Sequence, residues 1–572
     1  MIEGASYDCD VLVVGTGAAG LTAAVTAGKA GLNVLVVEKE PVFGGTTATS
    51  GGVMWIPGTS HSKQLSAALG ICDTFEKARA YLADESGNYV DMPRIEAFLT
   101  YGPEVVDFLE RETEAKFAAV RYPDYHSENP NSSIARSIKP IEYQASKLAG
   151  RYRTLKPQLP QTLFLGMGFG SLNGPQMKQF MRAGTSVSAF LYTVGTLTKH
   201  AFDVLKYGHA KTIYNGRAFV ARLAKTAFDM GIQLWLSSPV RELIVEDGRV
   251  CGAVVETASG RTRITVRSGI ILACGGFPAD TARRRAAYPR AAEGTRHRSP
   301  TPSGNTGDGI RLGEMAGGVF NSAVNNAAAW MPVSVMPGVS GAAGVWPHLI
   351  DRYKPGFMAV LKNGRRFTNE GESYHDFVQH LVQACESENA AECYLIGDLN
   401  AVNRYGIGFA KPFPVPRGRH IRSGYLLRGN SLAELAAKAG IESSALERTV
   451  GDFNAHSKDG RDPEFGRGSR AYDIAMGDEE HKPNPCLGPI EKPPFFAVKI
   501  VPGEIGTFAG LKTDRFARVL AADGAPIHGL YAVGNDAANV FAGAYPGAGG
   551  TIGPGVTFGY VAGRHVAGLL PE

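Results

Sequence analysis

Residues 10–40 read DVLVVGTGAAGLTAAVTAGKAGLNVLVVEKE, and the order of residue types in this stretch decides the fold. Val11 to Val14 form a short continuous apolar run, the mark of a parallel strand covered on both faces. Gly15, Gly17 and Gly20 follow as G-x-G-x-x-G. In that pattern the first glycine permits a tight turn, the second lets backbone approach a pyrophosphate, and the third lets helix and strand pack closely. Leu21 to Ala30 is Ala-rich and predicts a helix whose unpaired N–H groups and positive dipole end face the phosphates. Gly31 stops it, and Val34 to Val37 predict the second strand. Glu38 ends that strand eighteen residues past Gly20, where an acid accepts hydrogen bonds from an adenosine ribose. A lone glycine triplet also occurs in plain turns. Strand, glycines, helix, strand and acid in this order predict a dinucleotide site.

Around that stretch the composition is compatible with a large soluble enzyme. A chain of 572 residues exceeds what one hydrophobic core usually supports, so two or more domains are expected. The net charge of +5 is too small to argue for nucleic acid, and no basic run or aromatic-basic interleaving points there. Seven scattered cysteines without C-x-x-C fit reduced thiols, and the thirteen histidines show no metal-ligand spacing. No metal is therefore expected, and a cytoplasmic location is. The first apolar stretch feeds the glycine turn and lacks the flanks of a signal peptide. No apolar run reaches the ~18 to 20 residues of a membrane span, which leaves at most a peripheral membrane contact.

Further along, Pro41 to Gly58 is rich in glycine and hydroxyls and predicts a loop that backs a cofactor. Asp73 to Leu109 reads as helical, whereas proline and asparagine make Tyr122 to Ser137 (YPDYHSENPNSSIARS) irregular despite its aromatic rings. Leu163 to Met181 is rich in glycine and methionine, which suits a pocket wall, a membrane-touching patch or a buried packing segment, with packing as the default reading. Ala218 to Met230 predicts an amphipathic helix, and Val240 to Glu246 with Arg249 to Glu256 a hairpin around Asp247-Gly248. Arg261 to Val266 and Gly269 to Ala273 read as two more strands, the second running into Cys274-Gly275-Gly276. Leu432 to Ala439 and Ser444 to His456 read as helices, the latter with a Ser444-to-Glu447 capping box. Glycine-rich turns return at Gly534-Asn535-Asp536 and Gly543 to Gly559. The expected class is α/β: a Rossmann-like cofactor domain over residues 1–320 and 499–572, interrupted by an α+β catalytic domain over residues 321–498.

These motifs, in this order, resemble the flavoprotein fold of fumarate reductases and 3-ketosteroid dehydrogenases. The stretches are DVLVVGTGAAGL, Glu38-Lys39, GGTTATSGG, LACGGF, NTGDG at Asn305 to Gly309, GND, and YPGAGGTIGPG. The resemblance implies FAD, held by Gly15, Gly17, Ala19, Gly20, Glu38, Lys39, Gly45, Thr46, Thr47, Ser50, Gly51 and Gly52. It extends this set to Val240, Ala273, Gly275, Gly276, Asp308, Gly534, Asn535, Thr551 and Ile552. The family's covalent members attach FAD through a histidine near the loop, and Thr46-Thr47-Ala48 offers none, so a non-covalent flavin is expected.

The sharper resemblance is to the 3-ketosteroid 1-dehydrogenases. There a PDY tyrosine, a tyrosine after RF-x-N-E and a Y-P-G-x-G turn form the active site. Here they fall on Tyr125, Tyr374, and Tyr545 with Gly549. The family usually has proline before the second tyrosine and in the fourth place of the turn, where this chain has Ser373 and Ala548. Dehydrogenation next to a ketone needs a base for the α-proton, a flavin for the hydride, and donors on the carbonyl oxygen. The resemblance implies Tyr374 as base with Tyr125 assisting, and Tyr545 with the Gly549 N–H as donors. It implies a hydrophobic ketone, first a steroid, and an external acceptor such as a quinone. The alternatives are a smaller cyclic ketone, or a fumarate reductase-like reduction of an enone or enoate.

Overall fold

The strand Ser6–Val14 lies inside the larger sheet of the protein, between Gly260–Leu272 and Val34–Val37, parallel to both. A computed structural model describes residues 6–570 apart from 165, 169, 171–174, 185, 294–296 and 389. Across the sheet the order is Arg518–Leu520, Pro526–Ala532, Arg249–Thr257, Gly260–Leu272, Ser6–Val14, Val34–Val37, Gln233–Trp235, with Val240–Glu246 paired to Arg249–Thr257. The helix Ala18–Lys29 packs on it together with Asn215–Asp229 and Ile552–Val566. Burial on both faces explains why Val11 to Val14 and Val34 to Val37 are unbroken apolar runs.

The two strands expected over residues 261–273 are one, Gly260–Leu272. Its first half pairs antiparallel with Arg249–Thr257 and alternates in exposure, and its second half pairs in parallel with Pro526–Ala532. The polar residues at 267 and 268 do not end the ladder, because Ser6–Val14 runs alongside and absorbs the irregularity between Cys9 and Val11. The helical stretch expected from Asp73 to Leu109 is two helices, Phe75–Ser86 and Met92–Glu112. Gly87 breaks it at φ 54°, and the Asp91 side chain caps the second helix by accepting from the Arg94 N–H. The capping box at Ser444 is also corrected. The helix Ser443–Ser457 is capped by Glu442, whose carboxylate accepts from the Ser444 and Ala445 N–H groups.

A second, antiparallel sheet carries Val345–Pro347, Ala328–Val335, Phe495–Thr507, Cys393–Gly397 and Phe357–Val360, with Leu427–Gly429 added to Phe495–Thr507. Phe495–Thr507 pairs within this sheet along its length and so runs across residue 498. Within Leu163 to Met181, residues 165, 169 and 171–174 lie outside the described residues, while Met167 is buried and Pro175–Arg182 is helical. Among the described residues no helix is long and apolar enough to cross a membrane.

Candidate active site

A cavity of about 740 Å³ runs from the glycine turn after Ser6–Val14 to Tyr125, Tyr374 and Tyr545, at the junction of the two sheets. Every predicted site residue lies on its wall except Gly20 and Gly276. Gly20 stands behind it, where a Cβ would meet the Gly15 carbonyl oxygen at 2.2 Å, the close helix–strand approach expected of the third glycine. Gly276 donates its N–H to Asp536 at 3.0 Å, and a Cβ there would strike Thr507. Gly15 turns at φ +111°, with a Cβ 2.2 Å from the Ala273 carbonyl oxygen, so any other residue would block the turn.

The helix Ala18–Lys29 starts at Gly17 with no side-chain cap, and the Thr47 hydroxyl accepts from the Ala18 N–H at 3.1 Å. Glu38 reaches the same turn. Its carboxylate accepts from the Thr16 hydroxyl at 2.5 Å and from the Glu40 N–H at 3.1 Å. Lys39 donates to Thr306 at 2.7 Å and pairs with Asp308, and the Asn305 amide donates to Thr46 at 2.8 Å. A glycine cradle with no room for side chains, an uncapped helix start and a carboxylate at a strand end fit the pyrophosphate and ribose of FAD.

Sequence reading missed Asp536, which accepts from the Cys274 and Gly276 N–H groups beneath the cradle and is pushed up to about 6 by burial. It belongs to the GND turn, but only the fold shows that it faces inward.

Replacing Glu38 with Ala should weaken FAD binding at least ten-fold, since ~1 to 3 kcal/mol of hydrogen bonding to a charged group is lost. Equilibrium titration of apoprotein with FAD measures this, and unchanged affinity would place the ribose elsewhere. Acid precipitation should release all yellow colour into the supernatant, because no histidine stands in Thr46-Thr47-Ala48 to bond the flavin. Colour kept in the pellet would contradict a non-covalent flavin.

At the other end, three segments far apart in sequence bring their tyrosines together. Tyr125 donates its N–H to the Pro546 carbonyl at 3.0 Å, which ties the irregular loop to the Tyr545–Gly549 turn. Asp124 anchors that loop by accepting from Trp55 at 2.7 Å and pairing with buried Arg136 at 2.8 Å. Tyr374 opens the helix Tyr374–Ala384. Ser373, where proline would be usual, is its cap, accepting from the Asp376 N–H at 3.1 Å. The ring centroids lie 5.4 Å apart for Tyr125–Tyr374, 5.3 Å for Tyr125–Tyr545 and 5.5 Å for Tyr374–Tyr545. Gly549 turns at φ +97°, and a Cβ there would lie 2.4 Å from the Val53 carbonyl oxygen.

Burial raises all three phenols. It drives Tyr374 well above the ordinary phenol value; Tyr545 adds to this, and a hydrogen bond with Tyr125 opposes it. Tyr125 is raised well above that value too, by burial and then by the rings around it. Tyr545 is raised by burial, while hydrogen bonds with Tyr374, the Thr551 hydroxyl and the Gly549 N–H work the other way.

A clamp missed in the sequence holds the first two tyrosines in register. His126 lies between Glu85 at 2.5 Å and Asp376 at 3.1 Å. Burial alone would lower the imidazole, but the two carboxylates lift it to about 11. Neither Glu85 nor Asp376 sits in a recognisable motif. Tyr472, 5.0 Å from Tyr125 and hydrogen-bonded to Tyr353 at 2.9 Å, backs Tyr125 from behind the cavity wall.

Residues 10–552 match the family described as FAD binding domain. The chain belongs to that family. It is an FAD-dependent oxidoreductase with relatives along its whole length. The 4-oxocyclohex-2-ene-1-carboxylate 5-dehydrogenase of Sinomonas cyclohexanicum is 40% identical over 98% of this chain and 94% of its own length. A 3-oxosteroid 1-dehydrogenase of Mycobacterium tuberculosis is 37% identical over 98% of both chains. A solved 3-ketosteroid delta1-dehydrogenase from Sterolibacterium denitrificans, in complex with 1,4-androstadiene-3,17-dione, superposes with a TM-score of 0.89. It is 33% identical, over 98% of this chain and all of that one.

Proposed function

We propose that this flavoprotein dehydrogenates a ring ketone at the carbon–carbon bond next to the carbonyl. The observation that carries the reading is that the three tyrosines and the Gly549 backbone meet on the wall of the cofactor cleft. In this reading Tyr545 and the Gly549 N–H donate to the ketone oxygen and favour negative charge there, which makes the α-proton removable. Tyr374, acting as its phenolate, takes that proton and becomes neutral, and Tyr125, itself kept protonated by burial, donates to the Tyr374 oxygen and steadies its charge before the transfer. FAD, when bound, supplies an acceptor for the hydride leaving the neighbouring carbon. The apolar side chains around the tyrosines exclude water and strengthen these interactions.

Among the relatives, ring ketones of two sizes occur, steroids and oxocyclohexene carboxylates. Both fit the reaction, and the enzyme would return its electrons to an external acceptor such as a quinone. The test is anaerobic mixing of the holoenzyme with 3-ketosteroids, cyclohexanones and their carboxylates, followed by flavin absorbance. Bleaching by at least one ring ketone is expected. Bleaching by none, together with reoxidation of chemically reduced enzyme by an enone or enoate, would assign a reductase instead.

A further inference from the structure

Apolar side chains pack against the three tyrosines, beside the His375 ring stacked on Tyr545 and the Thr551 hydroxyl. Val53, Tyr122, Met331, Leu349 and Ile505 cluster with them and line the cavity. Lys139 lines the same cavity from the strand Ser137–Pro140. It is half-buried, and no carboxylate of the described residues pairs with its ammonium. The other cations on the wall have partners or stand at the cofactor end. Lys39 bonds Thr306 and Asp308, and Arg241 pairs with Glu256 at 2.6 Å. Lys156 donates its backbone N–H to Phe43, beside the glycine loop.

Strand register sets where Lys139 stands. Side chains two apart share a face, and the Ser137 hydroxyl donates to the Ala548 carbonyl at 3.1 Å, one residue before Gly549. Two residues of strand advance roughly 7 Å, so Lys139 is rooted about that far along the strand from the contact with the ketone-binding turn. On a cyclohexanone with a carboxylate on the opposite carbon, standard bond lengths put the ketone and carboxylate oxygens roughly 6 Å apart. A half-buried ammonium without a partner gains most from an anion, which a neutral steroid does not offer.

We infer that Lys139 recognises an anionic group on the substrate, so that the ring ketone taken here carries a carboxylate across the ring from its carbonyl. The inference rests on the ring-ketone reading above. Steady-state rates with a dye acceptor should be compared for 4-oxocyclohexanecarboxylate, its methyl ester and a 3-ketosteroid. The acid should show a KM roughly ten-fold or more below that of the ester. Lys139→Met should raise the KM of the acid by roughly 10- to 100-fold, leave kcat nearly unchanged and leave both constants of the ester as they were. Lys139→Arg should keep most of the affinity.

Binding is measured separately by titrating oxidised holoenzyme with 4-hydroxybenzoate, whose oxygen and carboxylate lie across the ring, and following the flavin spectrum. Lys139→Met should weaken that binding by a similar factor. Equal constants for acid and ester in the unmodified enzyme, or turnover of the steroid alone, would overturn the inference and leave the ring-ketone reading standing. If no ketone bleaches the flavin, that reading falls, and the inference with it. Unchanged 4-hydroxybenzoate binding in Lys139→Met overturns the inference in every case.

Discussion

Tyr374→Phe should slow anaerobic flavin reduction by roughly 100- to 10,000-fold, because the substitution keeps the buried ring and deletes the group proposed to take the α-proton. That range corresponds to ~3 to 5 kcal/mol of barrier. Stopped-flow mixing with a good ketone substrate measures it, after the flavin spectrum has confirmed that the variant binds FAD normally. A pH profile tests the same assignment independently. Burial holds Tyr374 well above the ordinary phenol range, so its basic form is scarce at neutral pH. A group that acts deprotonated and whose pKa is raised gives a rate that climbs with pH, by up to about ten-fold per unit below that pKa. The reduction rate should therefore still be rising at pH ~9, because an ordinary phenol already titrates near ~10 and Tyr374 lies well above that. Tyr125→Phe removes the hydrogen bond that lowers Tyr374, and should displace the profile to higher pH with a milder loss at its top. A flat profile between pH ~6 and ~9 would assign the base to another group.

Tyr545→Phe should cost roughly 100- to 1,000-fold in the same measurement, the usual effect of removing one preorganised donor from a developing oxyanion. The site makes this loss hard to compensate. Tyr545 is buried, and the backbone at Gly549 is closed off by Val53, so no side chain or solvent can take the place of the missing hydroxyl. Because the Tyr545 hydroxyl interacts with Tyr374, the loss should appear chiefly in the rate of flavin reduction. The ketone should still bind within a few-fold of its original affinity. If Tyr374→Phe and Tyr545→Phe both reduce flavin at the unmodified rate, the tyrosine assignment is wrong and the chemistry lies elsewhere on the cleft wall.

The sequence by itself determined the cofactor half. Strand, glycine turn, helix and ribose acid are local, and each residue type is there because backbone geometry or phosphate contact demands it within a few positions. Thus Gly15, Gly17 and Glu38 could be named from residues 10–40, where Gly15 turns at φ +111° with no room for a Cβ and the helix starts at Gly17. The three tyrosines were legible only through resemblance to a family, because nothing local marks one of 21 tyrosines as special.

Tertiary structure decided everything that depends on pairing between distant segments. It joined residues 260–272 into one strand, because a neighbouring strand supplied a continuous ladder that polar residues could not interrupt. It set His126 between Glu85 and Asp376, and it turned Asp536 under the cradle. It also brought Lys139 to the cavity wall, through the strand register and the Ser137 bond to Ala548. Charge pairing and burial at these positions are properties of packing between segments tens to hundreds of residues apart, and no periodicity or spacing along the sequence encodes them.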